Sequence, residues 1–194
     1  LIVGFVNVGL MSLTQATAMI MGANIGTTIT AQIAALSEFD FTVYVQVLAC
    51  VGIMTAMVAS KEKVKNAGYI IAGLGIIFIG LSLMSHSMTD YKAEIQSVLG
   101  GLTNNLVLFL VGIILTALVQ SSSATTSIVI AMSVAGLTIG TGRNEILFFI
   151  LGTNIGSCVT AIMSTIGAST NAKRAGLIHL MFNVFGSVIF YIIL

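Results

Sequence analysis

The sequence contains no proline, and only 7% of its residues carry a formal charge. Without proline, any interruption of a helix has to come from glycine, asparagine or a hydroxyl that bonds the backbone. A soluble domain carries about 25% charged residues. So few charges, with 57% hydrophobic residues and a mean hydropathy of +1.12, exclude that class. The chain reads as an all-α integral membrane protein. A net charge of +1 gives no reason to expect a nucleic-acid partner. Cysteine is scarce as well: Cys50 and Cys158 sit in apolar surroundings without CxxC spacing, and read as packing residues rather than metal ligands or a disulfide. The apolar run at Leu1 lacks the basic flank and cleavage site of a signal peptide. With no starting methionine and an apolar ending at Tyr191-Ile192-Ile193-Leu194, the chain reads as a piece of something longer.

What is present centres on Gln120-Ser121-Ser122-Ser123-Ala124-Thr125-Thr126-Ser127, a polar block without charge. The apolar arms on either side, from Asn105 to Val119 and from Ile128 to Leu137, are each about half as long as a bilayer-spanning helix. The simplest geometry is a hairpin over 105–139 that enters the membrane, turns at the serines and leaves by the same face. Such a turn must be buried in protein or line a wet cavity, because hydrocarbon leaves backbone groups unsatisfied.

The rest divides around it. A first repeat, 1–87, holds the end of a hairpin, a broken helix over 12–36 that Ser12 can cap, a loop at Glu38 and Asp40, and spans over 41–60 and 68–87. A second, 88–194, holds an interfacial segment over 88–104, the hairpin, a broken helix over 144–169 and a last span over 173–194. The division rests on an internal match: Gly22-Ala23-Asn24-Ile25-Gly26-Thr27-Thr28-Ile29-Thr30-Ala31 answers Gly152-Thr153-Asn154-Ile155-Gly156-Ser157-Cys158-Val159-Thr160-Ala161, with Gly, Asn, Ile, Gly, Thr and Ala recurring in register. Upstream, Gly9-Leu10 answers Gly136-Leu137. The glycine and asparagine centres are the expected points of unwinding. Lysine and arginine favour the cytoplasmic side, which places Lys61, Lys63, Lys65, Lys173 and Arg174 inside and makes the two repeats inverted.

Inverted repeats with broken helices are the architecture of secondary transporters, whose substrate sits at the repeat interface. The seven Lys and Arg and the six Asp and Glu all fall in loops or at span ends. An anion in the membrane would therefore be balanced by helix dipoles, hydroxyls and a co-bound cation. With no buried carboxylate to carry a proton, sodium coupling fits better than proton coupling. His179 is the one titratable group inside a span, and a lone histidine there reads first as a packed, hydrogen-bonded residue; His86 reads as interfacial.

The Gln120-to-Thr126 block, the Gly-x-Asn-Ile-Gly-Thr/Ser motifs at 22–27 and 152–157, and the run His179-Leu180-Met181-Phe182-Asn183 after Lys173-Arg174 resemble the type II sodium-dependent phosphate cotransporter family, bacterial members included. The resemblance covers essentially the whole chain. It implies a multi-pass protein of the plasma (bacterial inner) membrane that moves Na⁺ with inorganic phosphate, with no cofactor beyond Na⁺ as coupling ion. It also implies Gln120, Ser121, Ser122, Ser123, Thr125, Thr126, Asn24 and Asn154 as substrate-binding candidates, and Gln120, Ser122, Ser123, Thr27, Thr28, Asn154 and Ser157 as sodium candidates. The family carries a Gln-Ser-Ser-Ser block in each repeat, and bacterial members often add a soluble PhoU-like domain; this chain has one block and no such domain. Three rivals remain: a transporter of another small oxyanion or a carboxylate, an intramembrane serine hydrolase using Ser122 and His179, and a channel or structural bundle that binds nothing.

The register yields a direct expectation. The block Gln120 to Ser127 maps onto the eight positions just before Leu1. Reading the parent coding sequence upstream should reveal a second Gln-Ser-Ser-Ser-like block behind an apolar arm. A charged linker there would refute the two-hairpin reading.

Overall fold

A computed structural model describes residues 1–36 and 42–194, and its regular structure among these residues is entirely helical. The loop expected at Glu38 and Asp40 and the start of the span at Phe41 lie outside the described residues. The helices are α1 (Ile2–Asn7), α2 (Leu13–Ala35), α3 (Thr42–Val58), α4 (Glu62–Thr89), α5 (Lys92–Leu99), α6 (Asn105–Val119), α7 (Ser122–Val134), α8 (Glu145–Gly156), α9 (Cys158–Met163) and α10 (Thr170–Ile193). Among the described residues three stretches are long and apolar enough to cross a bilayer: α4, α8 with α9 as Glu145–Met163, and α10. Much of the helix surface is apolar too, with Val58, Leu118 and Ile192 all exposed. That outer surface suits lipid, and the molecule is a membrane protein.

The helix ends follow their sequences. Ser12 and Gln15 form a reciprocal cap on α2: Ser12 Oγ accepts from the Gln15 amide (3.3 Å) and Gln15 Oε1 accepts from the Ser12 amide (2.9 Å). Asn104 Oδ1 caps α6 by accepting from the amides of Leu106 (2.9 Å) and Val107 (3.2 Å). The segment expected to be interfacial contributes the short helix α5. Its Gln96 clamps Thr138, donating from Nε2 to the carbonyl (3.0 Å) and accepting the Thr138 amide at Oε1 (2.8 Å).

The expected break in the first repeat is absent. Helix α2 runs unbroken from Leu13 to Ala35, through Gly22 and Asn24. The reason lies in the polar side chains themselves. Asn24 Nδ2 donates to the Ile20 carbonyl (2.9 Å) and Thr27 Oγ1 to the Ala23 carbonyl (3.1 Å), so each is satisfied on its own helix without unwinding it. In the second repeat the interruption is a single residue, Ser157, which keeps right-handed angles (φ −63°, ψ −22°) between α8 and α9.

The Gly9–Gly136 register does reappear in the backbone. Gly9 and Gly136 both have φ +75°. In the first copy the Leu10 amide donates to Phe5 (2.9 Å) and the Gly9 amide to Val6 (3.2 Å); in the second, Leu137 donates to Met132 (2.9 Å) and Gly136 to Ser133 (2.9 Å). Each is a left-handed glycine cap closing a helix, and residues at matching places make matching bonds.

Contacts divide the chain into two units. One comprises Leu1–Ala31, Gln96–Thr126 and Thr138–Leu194; the other comprises Gln32–Ile95 and Ser127–Leu137. The second is organised by an antiparallel seam of small residues: Ala49 meets Gly75, Gly52 meets Ala72, and Ala56 meets Gly68. The Ser85 hydroxyl there donates to the Ala131 carbonyl (2.8 Å), and Ala34, Leu81 and Ala131 form a small core.

In the first unit Val3, Val6, Ala16, Ile20, Ala172 and Ala175 knit α1, α2 and α10 together, and Asn7 Oδ1 accepts the Ser169 amide at the start of α10 (2.7 Å). Helices α6 and α8 meet backbone to backbone. Gly112 lies against Phe149, Gly152 against Phe109 and Ile113, and Gly156 against Ile113 and Thr116. Residue numbers rise together along the seam, so the two helices are parallel. Beyond it, Tyr191 of α10 packs edge-on to Phe109 (5.4 Å) and Phe148 (4.9 Å).

These seams leave no room for a Cβ. Gly152→Ala should destabilise the folded protein by about 1–3 kcal/mol through overpacking. Gly80→Ala, where a Cβ meets open space, should be neutral or raise stability by up to about 1 kcal/mol. Thermal unfolding in detergent checks both, and equal midpoints for the two variants would contradict the seam.

Candidate functional site

A cavity of about 190 Å³ opens within the first unit, lined by Ala23, Asn24, Thr27, Ser122, Asn154, Ser157 and His179. A single water needs roughly 10–15 Å³ measured in this way, so the space admits a hydrated ion or a small oxyanion. Asn24 and Thr27 are three residues apart on α2 and share a face; Asn154 and Ser157 repeat that spacing at the end of α8. The two pairs are the matching members of the internal repeat. Equivalent residues from both copies therefore converge on one cavity.

Ser122 joins them as the first residue of α7. It arrives there because α6 ends abruptly. Gln120 takes a left-handed conformation (φ 58°, ψ 23°), and its amide donates to Thr116 (2.7 Å). Ser121 then caps α7, its Oγ accepting from the Ala124 amide (3.2 Å). His179 is set by its backbone: the carbonyl accepts from Asn183 Nδ2 (2.9 Å) and from Cys158 Sγ (3.7 Å). One turn beyond Asn183, the Ser187 hydroxyl donates to Leu151 of α8 (3.1 Å), which fixes α10 beside the second-repeat motif.

The hydroxyl and amide protons sort the wall into two kinds of group. Asn24 Nδ2, Thr27 Oγ1 and Ser157 Oγ direct their protons to carbonyls of their own helices, the last to Asn154 (2.7 Å). Thr27 and Ser157 are left with lone pairs to offer the cavity, and Asn24 with its carbonyl oxygen and one remaining N–H. The Ser122 hydroxyl, the Asn154 amide and the His179 ring have no protein partner among the described residues, and each can donate. One wall thus carries oxygen acceptors suited to a hard cation and donors suited to an oxyanion.

Of the candidates read from the sequence, Asn24, Thr27, Ser122, Asn154 and Ser157 line this cavity, and Gln120, Ser121, Ser123, Thr125, Thr126 and Thr28 do not. Gln120 is exposed at the elbow, and Ser121 is the cap. Thr125 is buried, with its hydroxyl on the Ser121 carbonyl (3.0 Å). Ser123 and Thr126 are half-buried on α7, and Thr28 is exposed on α2. His179, read from the sequence first as a packed residue, also lines the cavity. It is half-buried, and its ring has no hydrogen-bond partner among the described residues. The available signal was its standing as the one histidine well inside a span expected from the sequence. The cysteines are free, Cys158 buried and Cys50 exposed, and the described residues hold no cluster of acidic, cysteine or histidine side chains able to bind a metal ion.

Polar residues duplicated in the sequence thus line a single cavity of a helical membrane protein. The chain matches the Na⁺/Pi-cotransporter family over residues 1–86 and 88–193, and it is a member of that family. It is 30% identical over 189 residues to "Uncharacterized protein YqeW" of Bacillus subtilis, covering 96% of this chain and 59% of that protein. It is 26% identical over 192 residues to the "Putative inorganic phosphate export protein YjbB" of Salmonella typhimurium and of Escherichia coli K12, covering 97% of this chain and 34% of each. The chain thus spans between a third and three fifths of the length of these relatives. No solved structure matches it.

The capping role of Ser121 can be separated from binding. Ser121→Ala should cost about 1 kcal/mol of stability, and Ser121→Gly only a few tenths. Detergent thermal melts read the difference, and indistinguishable midpoints for wild type and Ser121→Ala would show that the cap bond is unimportant.

Proposed function

We propose that this chain is part of a secondary transporter that couples Na⁺ movement to that of inorganic phosphate across the plasma (inner) membrane, and that the cavity holds both ions. The observation that carries the reading is the division of the cavity wall. Lone pairs from Asn24, Thr27 and Ser157 suit Na⁺, and the donors of Ser122 and Asn154 suit phosphate oxygens. The first turn of α7 adds the amides of Ser122 and Ser123, which have no acceptor within the helix. Membership of the Na⁺/Pi-cotransporter family and the phosphate named in two relatives support the substrate; sulfate or a carboxylate is the runner-up.

The inverted-repeat architecture belongs to the same proposal. The parallel seam between α6 and α8 supports a re-entrant hairpin, because the chain has to return to its starting level between them. Gly22 and Gly26, the counterparts of Gly152 and Gly156, face open space, as expected if a helix equivalent to α6 seats on them in a longer protein. The protein on this reading is not an enzyme. What supports this is membership of a transporter family.

Radiolabelled phosphate flux through the full-length protein in proteoliposomes tests the proposal. Flux should rise steeply with a Na⁺ gradient. Ser122→Ala and Asn154→Ala should each weaken phosphate binding by roughly 1–3 kcal/mol, whereas Val119→Ala, an exposed apolar residue outside the cavity, should change little. Flux indifferent to Na⁺, or equal binding by all three variants, would sink the coupled-site reading.

A further inference from the structure

One wall residue of the cavity can change its charge. Ala23, Asn24, Thr27, Ser122, Asn154 and Ser157 are neutral at every physiological pH, and His179 is not. The elements around it supply no competing charge. Helices α1, α2, α6 and α7 have no titratable side chain. On α8 the one carboxylate, Glu145, sits at the far end, more than two turns from Asn154, and is bonded by the Thr141 hydroxyl and the Arg143 amide. On α9, the Cys158 thiol is bonded to the carbonyls of His179 (3.7 Å) and Asn154 (3.6 Å). On α10 itself, Lys173 and Arg174 lie more than a turn earlier, and Tyr191 is packed on Phe109 and Phe148.

We propose that His179 is an anion-binding residue of this cavity and the group that makes anion binding depend on pH; the inference rests on the phosphate reading above. A ring N–H donates to an oxyanion oxygen. When the ring is protonated it is also the one positive charge on the wall, so the contact becomes charge-assisted. As pH rises and the ring loses its proton, one nitrogen still donates but the charge is gone. Affinity for the anion therefore falls, independently of the change in phosphate's own ionisation. The half-buried position and the unpartnered ring give the group both access and reason to bind. The helix holds it by the backbone carbonyl alone, through Asn183 and Cys158, which leaves both ring nitrogens for the ligand.

The experiment is equilibrium binding of inorganic phosphate to the full-length protein at fixed Na⁺, comparing wild type with His179→Gln from about pH 6 to about pH 8. Because the ligand is the same, the ratio of the two affinities removes phosphate's own titration. Wild type should bind about tenfold or more tightly near pH 6, with the ratio shrinking several-fold by about pH 8. Superimposable profiles for two folded proteins that both bind phosphate would overturn the role of His179 and leave the phosphate reading standing. A folded wild type that binds no phosphate would overturn the substrate reading, and this inference with it. Should the glutamine variant misfold, wild type alone decides the matter. Phosphate should protect His179 from carbethoxylation by diethyl pyrocarbonate, read at that residue by mass spectrometry, and equal labelling with and without phosphate would overturn the assignment.

Discussion

The structure depends on one constraint: a polar group surrounded by hydrocarbon has to find its partner inside the protein. Many hydroxyls of this chain meet it at once, by donating to a carbonyl three or four residues back. Thr17 does so to Leu13, Thr55 to Val51, Ser87 to Leu83 and Ser164 to Thr160. This local solution lets α2 stay whole through a stretch rich in glycine, asparagine and threonine. The same solution fixes what such residues can offer a ligand. A hydroxyl that has given its proton to the backbone is an acceptor, and a cavity walled partly by such groups is prepared for a cation without bearing any charge.

The second determinant is close approach. Glycines at 112, 152 and 156 let α6 and α8 touch along their backbones, and the van der Waals attraction between them replaces the hydrophobic force that lipid does not supply. This seam fixes the end of α6, hence the elbow at Gln120, hence the place where Ser122 opens α7. Thr116 lies fully buried against it, and its hydroxyl is the one buried side-chain polar atom without a partner among the described residues. An orphaned hydroxyl costs about 1–3 kcal/mol, so the tight packing of α6 on α8 has to exceed that cost.

Duplication links the fold to the site. The Asn and Thr/Ser of each copy are three residues apart, so each pair presents one polar face. The two faces meet at one cavity. The copies are not used alike, however. Gly152 and Gly156 are packing surfaces while Gly22 and Gly26 stand open, and the helix is interrupted at Ser157 while Thr27 lies in unbroken helix. A shared motif has been given two mechanical roles by its neighbours.

The sequence by itself determined the membrane class, from the poverty of charge, and the helical content, from apolar runs of spanning or half-spanning length. It also determined the repeat register, which returns in the paired caps at Gly9 and Gly136, and the elbow at the serine block, since seven polar side chains in eight positions have no place in the middle of a span. It named five residues that line the cavity, because paired polar residues inside apolar helices are visible in one dimension. Only the tertiary structure decided which residues of the block face inward. Ser121, Ser122 and Thr125 are alike in chemistry, and their tasks differ by the helical angle at which each sits relative to the elbow. Unwinding was misjudged at Gly22–Thr28, because glycine and asparagine permit a break without requiring one, and the side chains closed back on the helix. That His179 reaches the cavity was not legible for a related reason. Its surroundings come from helices far away in the chain, and whether a lone histidine meets a packed core or an open cavity is settled by how α10 docks.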